Sequence, residues 1–104
     1  MKIMVISLLL LLSTAVANAE TGPSLERGKA LFENDKLGSN GKSCATCHTG
    51  GKRLEWAATF EESRLANIVN KCIEQALKGK PLDPAADDMR SLLMYIKTFA
   101  GPGY

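Results

Sequence analysis

Apolar residues fall into four blocks along the chain. The first, Ile3 to Leu12, is broken only by Ser7 and shows no polar face. The other three are periodic. Leu25, Gly28, Leu31 and Phe32 recur at helical spacing behind Ser24, an N-cap residue type, and predict a first helix ending near Leu37-Gly38. Leu65, Ile68, Val69, Cys72 and Ala76 predict a helix with one apolar face. Thr59-Phe60-Glu61-Glu62 has the form of a capping box at its start. It is expected to stop at Lys78-Gly79, where Gly79 can turn left-handed and Pro81 bars continuation. Met89, Leu92, Leu93, Ile96 and Phe99 form the stripe of a last helix. Asp83 and Pro84 suit its start, Asp87 and Asp88 its positive end, and Ala100-Gly101-Pro102-Gly103 its stop. Gly38-Ser39-Asn40-Gly41 and Thr49-Gly50-Gly51 read as loops. The pattern predicts a single all-α domain, without internal repeat or low-complexity tract.

The leading apolar block has a separate meaning. Lys2 supplies a positive start, and Ala17-Asn18-Ala19 offers small residues for cleavage before Glu20, so residues 1–19 are expected to be a signal peptide. The run is short for a bilayer and no positively charged stop follows it. The mature chain is therefore expected to have no membrane anchor and to be soluble in the periplasm or another exported compartment. Cleavage removes 19 of 104 residues and one of 13 basic groups. That leaves an 85-residue domain, 20–104, with 12 basic and 11 acidic groups and a net charge of about +1. A nearly neutral domain has no concentrated basic face for nucleic acid, and 45% hydrophobic residues argue against disorder.

Cys44-Ala45-Thr46-Cys47-His48 carries the candidate chemistry. In an exported protein, C-x-x-C-H is the attachment sequence for one covalently bound haem c. The two thiols add to the porphyrin vinyl groups as thioethers, and the adjacent imidazole can coordinate the iron from the proximal side. Zinc would need further ligands, of which only Cys72 remains, and His48 is too close to Cys47 for both to close on one ion. A redox-active C-x-x-C would need a strand before it, and nothing around Cys44 reads as one. A haem would also supply the large apolar body that so short a chain lacks.

Cys72 is then an odd thiol in an oxidising compartment. It lies on the apolar face of its helix, and coordination to ferric iron would hold it as a thiolate. The residues leave three roles for it: distal iron ligand, inert buried cysteine, or partner in an intermolecular disulfide. Met89 is the alternative distal ligand, although a Met on a stripe with Leu93 and Ile96 is more often a core filler. Met94, near Arg90 and Lys97, is a poorer candidate. Lys52 and Arg53 suit haem propionates, though charged residues after a loop are more often solvated. Leu54, Trp56 and Phe60 are expected to wall the pocket, with a partner interface as the alternative for Trp56.

Gly28-x-x-x-Phe32, the Cys44 to His48 segment and Leu92-Leu93-Met94-Tyr95-Ile96 together make the chain resemble the small monohaem cytochromes c. The resemblance implies a cytochrome c fold wrapped around one covalent haem. Its first and last helices would cross where Gly28 allows close approach and Phe32 and Tyr95 pack. In the common electron carriers of that family a Met just before the last helix completes the iron coordination. This sequence departs from them, since Lys78 to Pro84 contains no Met.

Gly51-Lys52-Arg53-Leu54, Asn70-Lys71-Cys72-Ile73-Glu74, Gly79-Lys80-Pro81-Leu82 and Met89 to Ile96 are similar to the haem domains of the sulfur-oxidation cytochrome SoxA and thiosulfate dehydrogenase. They are also similar to the small subunit of the heterodimeric NaxLS cytochrome. In those relatives a cysteine matching Cys72 is the distal ligand. The resemblance implies His48/Cys72 ligation; thiolate donation is then expected to stabilise ferric iron, giving low-potential electron transfer, and loss of the Cys ligand on reduction to open the iron to NO or CO. It also implies a second c-type cytochrome subunit as heterodimer partner, besides redox partner proteins. A haem subunit of a sulfur-compound-oxidising enzyme and an ordinary Met-ligated carrier are the alternatives. The short chain, with one haem motif and no substrate-orienting cluster, favours a protein that is not itself an enzyme.

Overall fold

A computed structural model describes residues 22–101, so the leader at 1–19 and its cleavage point lie outside the described residues. Four α-helices carry the fold: α1 Leu25–Phe32, α2 Cys44–Cys47, α3 Glu62–Gln75 and α4 Asp87–Lys97. Two 3₁₀ turns, Thr49–Gly51 and Ala57–Thr59, lie between α2 and α3. No strand occurs among the described residues, and the domain is all-α as its periodicity predicts.

Ser24 starts α1 as expected, its Oγ accepting the N–H of Arg27 at 3.1 Å. Its own N–H donates to Oγ of the fully buried Ser91 at 3.0 Å, tying the start of α1 to the middle of α4. Gly28 lies against the same turn of α4. A Cβ there would stand 2.0 Å from the Ser91 carbonyl oxygen and 2.8 Å from Tyr95 Cβ, so the two backbones touch only because glycine has none. One turn further, Phe32 meets Tyr95 edge-on with ring centroids 5.3 Å apart. Phe99 joins both rings at 5.6 and 5.1 Å. An exposed Arg27–Asp88 ion pair at 2.7 Å borders the contact and adds little.

The core is made by Phe32, Leu65, Val69, Ile73, Met89, Leu92, Leu93 and Ile96, all buried. Met89, Leu92, Leu93 and Ile96 of α4 are therefore buried as its periodicity predicts, while Phe99 lies beyond the helix end at Lys97 and is half-buried. The α3 stripe is rotated: its buried residues are Leu65, Ala66, Val69 and Ile73, while Ile68 is half-buried and Cys72 and Ala76 are exposed. The apolar surface of α3 is wider than one stripe, and its two sides face different neighbours.

Helix ends depart further from the sequence reading. α1 stops at Phe32 rather than Leu37-Gly38, and Asn34 then bends the chain by accepting the Lys36 N–H on its side-chain oxygen at 2.9 Å. The capping box at Thr59 does not form. Thr59 Oγ1 donates instead to the Trp56 carbonyl at 2.7 Å inside its own 3₁₀ turn, and α3 begins after Glu61. At the other end of α3 the left-handed residue is Lys78, with φ 56, not Gly79. Gly79 serves close packing, since a Cβ on it would come within 2.6 Å of the Leu37 carbonyl oxygen. Asp83 does not cap α4. Its carboxylate accepts the Ala85 N–H at 2.9 Å in a turn, and the helix starts at Asp87, with Asp87 and Asp88 in its first turn as expected. Asn70 clamps the intervening segment to α3 through two 2.8 Å hydrogen bonds to the backbone of Leu82.

Replacing Gly28 by Ala should therefore destabilise the domain by about 3 kcal/mol, at the upper end of the usual overpacking range, because both clashing atoms are held by α4. Urea unfolding of wild type and Gly28→Ala measures this. A variant of unchanged midpoint would mean that α1 and α4 separate at little cost.

Candidate functional site

Helix α2 is a single turn, and its own side chains close it. Ser43, buried, accepts the Thr46 N–H at 3.2 Å while Thr46 Oγ1 accepts the Ser43 N–H at 2.9 Å, a reciprocal cap. That fixes Cys44 and Cys47 in one helical turn, on one face at i and i+3. At the far end Thr49 Oγ1 donates to the Ala45 carbonyl at 3.0 Å, and Arg53 Nη2 donates to the Cys47 carbonyl at 3.0 Å. His48 then leaves the helix at φ −120 and ψ 53.

The segment after His48 doubles back. Gly50, Gly51 and Arg53 all have left-handed φ, at 64, 79 and 69, and bring the Lys52 carbonyl to 2.9 Å from His48 Nδ1. A carbonyl oxygen only accepts, so Nδ1 carries the proton and donates. In the neutral ring Nε2 then keeps its lone pair, the tautomer that a metal-binding imidazole needs. Gly51 seats this loop against the end of α4, where a Cβ would lie 2.3 Å from the Phe99 ring.

All four site residues expected from the sequence border the same space. A cleft of about 420 Å³, counting its open side, is lined by Cys44 and His48 with Leu54, and by Leu65, Ile68 and Cys72 from α3. A second cleft of about 320 Å³ has Cys44, Cys47, His48 and Cys72 on its walls, with Ala76 and Leu77. The walls are apolar apart from these donors and Ser43 at the edge of the second cleft. The attachment turn and Cys72 are brought together across an opening rather than onto one point. Among the described residues no three His, Cys, Asp or Glu side chains are close enough to hold a bare metal ion.

The thiols influence one another. Burial first, and then the neighbouring Cys72, push the Cys44 thiol up to about 11. The Cys72 thiol is raised by burial and then by Cys47.

Other expected residues lie elsewhere. Met89, the alternative distal ligand, is fully buried in the core and lines neither cleft. Trp56 does not wall the cleft: it is 76% exposed and borders a separate surface depression with Arg53, Glu55 and Thr59. Phe60 lies under the Arg64 guanidinium at 4.0 Å and lines neither cleft, so only Leu54 of that trio does. The Arg53 guanidinium is engaged with Cys47, and Lys52 contributes its carbonyl. The Lys52 carbonyl was not expected, since a backbone acceptor has no residue signature. The Ser43 cap had one, in its Ser43-x-x-Thr46 spacing. Among the described residues no helix is long and apolar enough to cross a membrane.

No protein-family model, no curated protein and no solved structure matches the chain.

With its thiol raised from 9.0 to about 11, Cys44 holds roughly a hundredfold less thiolate at pH 8 than an unshifted cysteine. In chain produced without haem, Cys44 should be the slowest thiol toward iodoacetamide at pH 8, and its rate should keep climbing with pH to about 11. Mass-spectrometric mapping of alkylation against pH checks the order. Cys44 reacting first would place it outside the buried wall of the cleft.

Proposed function

We propose that the chain is an exported monohaem c-type cytochrome, with Cys44 and Cys47 as thioether anchors, His48 as proximal ligand and Cys72 as distal ligand. Its work is low-potential electron transfer, binding of a diatomic gas such as NO or CO after loss of the Cys72 ligand, or both. The observation that carries this reading is a pair of largely apolar clefts that share Cys44, His48 and Cys72 on their walls, with Cys47 on the wall of the second. The donor set suits the group: two thiols on one face of a turn, an imidazole with Nε2 free, and a third thiol across the opening.

When bound, the haem would supply a one-electron couple and an iron able to take a small ligand. The side chains set its character. A thiolate from Cys72 donates strongly and favours ferric iron, which lowers the potential. The Lys52 carbonyl acts in the same direction by withdrawing the Nδ1 proton of His48. Burial raises the Cys72 pKa, so its thiolate would depend on the positive charge of a bound iron opposite it, and would be held less firmly where that charge is smaller. Leu54, Leu65 and Ile68 keep the cleft apolar, which suits an uncharged diatomic ligand. A Met-ligated carrier is the weaker reading because Met89 belongs to the core. Exposed Trp56 and Met94 support a second cytochrome subunit as partner.

Expression of the full chain, leader included, in a host that matures c-type cytochromes tests this reading. Haem should stay with the protein in acidic organic solvent, and Cys44→Ser or Cys47→Ser should impair that. Cys72→Ser should keep covalent haem but turn the ferric low-spin spectrum toward a high-spin or water-ligated form and raise the potential. Met89→Leu should leave the spectrum unchanged and cost less than about 1.5 kcal/mol of stability. Complete release of haem from the wild type would overturn the attachment. A spectrum altered by Met89→Leu and not by Cys72→Ser would overturn the ligation.

A further inference from the structure

Arg53 stands where the backbone favours glycine. Its φ of 69 is left-handed, as at Gly50 and Gly51 just before it, yet it carries a long side chain whose Cβ is penalised there. A residue held in such a conformation points to what its side chain does. The guanidinium reaches back to donate to the Cys47 carbonyl at 3.0 Å. The peptide immediately before Arg53 directs the Lys52 carbonyl to His48 Nδ1 at 2.9 Å. Arg53 thus closes a ring: its side chain holds the last residue of α2, and its backbone aims the preceding carbonyl at the imidazole that follows that residue. The bonds Gly51 N–H to His48 O at 2.9 Å and Leu54 N–H to Gly51 O at 3.0 Å shape the loop, but neither touches the ring or the Cys47 carbonyl.

We propose that Arg53 is a positioning residue for the proximal imidazole, holding the Lys52 carbonyl on the Nδ1 proton and thereby setting how strongly Nε2 donates. This rests on the ligation proposed above for His48. A firm hydrogen bond at Nδ1 raises electron density on Nε2, and a stronger donor favours ferric over ferrous iron. The charged donor makes the Arg53 bond to Cys47 stronger than a neutral one and restricts the loop despite its exposure. The role belongs to the guanidinium, because glycine would satisfy the backbone more easily and leave the carbonyl free to swing.

The test compares mature wild type with Arg53→Gly, which removes both side chain and backbone strain, and Arg53→Met, which keeps length without a donor. Arg53→Lys serves as the conservative rescue. Midpoint potential and solvent exchange of the His48 Nδ1 proton in the ferrous protein are the readouts, with thermal unfolding alongside. Arg53→Gly and Arg53→Met should shift the redox equilibrium toward ferrous iron by about tenfold, about 59 mV for one electron, and speed Nδ1 exchange. Arg53→Lys should lie between them and wild type. Wild-type potential and exchange in Arg53→Met would overturn the proposal, as would a change in thermal midpoint with neither readout moved. Should Arg53→Gly fail to mature, Arg53→Met decides alone. Absence of thioether-bound haem in the wild type would instead overturn the function proposed above, so the two failures read differently.

Discussion

The contact of α1 with α4 at Gly28 sets the frame for everything around the attachment turn. With no Cβ at Gly28, the backbone of α1 meets the Ser91 carbonyl of α4, and Ser91 answers by accepting the Ser24 N–H on its buried hydroxyl. That approach brings Phe32 onto Tyr95 and Phe99. Phe99 in turn packs against Gly51, again at a distance that no side chain on that residue would allow. Gly51 belongs to the left-handed stretch that carries the Lys52 carbonyl to His48. The orientation of one imidazole is thus linked through four contacts to a helix pair on the other side of the molecule. A hydrogen bond at a ring nitrogen is useful only when its acceptor is held in place, and packing of Gly51 on Phe99 seats the loop that carries this acceptor.

Helix α3 works on two sides. Ile73 is buried in the core, Ile68 and Cys72 face the cleft opposite the attachment turn, and Leu65 and Val69 are buried between the two and line both. The connections at its C-terminal end hold the two sides in register. Ser39 N–H donates to the Leu77 carbonyl at 2.9 Å, Ser39 Oγ to the Lys78 carbonyl at 2.6 Å, and Asn40 to the Ala76 carbonyl at 2.8 Å. These bonds moor the chain just ahead of α2 to the end of α3. Side chains of α3 and of α2 can share a cleft because the two helices are joined at that edge.

Features that depend on one residue and its near neighbours were legible in the sequence. Ser24 caps α1, Gly28 marks a close approach, the α4 stripe is the core stripe, and the C-x-x-C-H turn and Cys72 border one space. Features that depend on competition were not. Two four-residue stretches had the form of a cap. The box closed at Ser43 and Thr46, whereas the hydroxyl of Thr59 was taken by a carbonyl in its own turn. Gly79 looked like a left-handed stop, but Lys78 takes that conformation because Gly79 is needed where the Leu37 carbonyl presses on it. The α3 stripe was read as one face, since period alone does not tell a core side from a cleft side. The Lys52 carbonyl, as backbone, left no mark at all.

A small helical domain with a cleft between two of its parts has an energetic consequence for how the proposed haem would be held. The attachment turn is moored at its start through Ser39 and Asn40 and after its end through Gly51 on Phe99, while Cys44 and Ala45 pack against the core. A group linked covalently to Cys44 and Cys47 is presented to α3 at the high effective concentration of a tethered ligand. Every contact it then makes with Ile68, Leu65 or Cys72 exists only in the folded chain and adds to folding stability. Because so short a chain gives a marginal core, that contribution would count for much of the total. Ligation by Cys72 would then act twice, tuning the iron and closing the domain from the side opposite the attachment turn. In the proposed haem-bound protein, loss of that ligand would open the side facing α3, while attachment at Cys44 and Cys47 and the bond to His48 would retain the group.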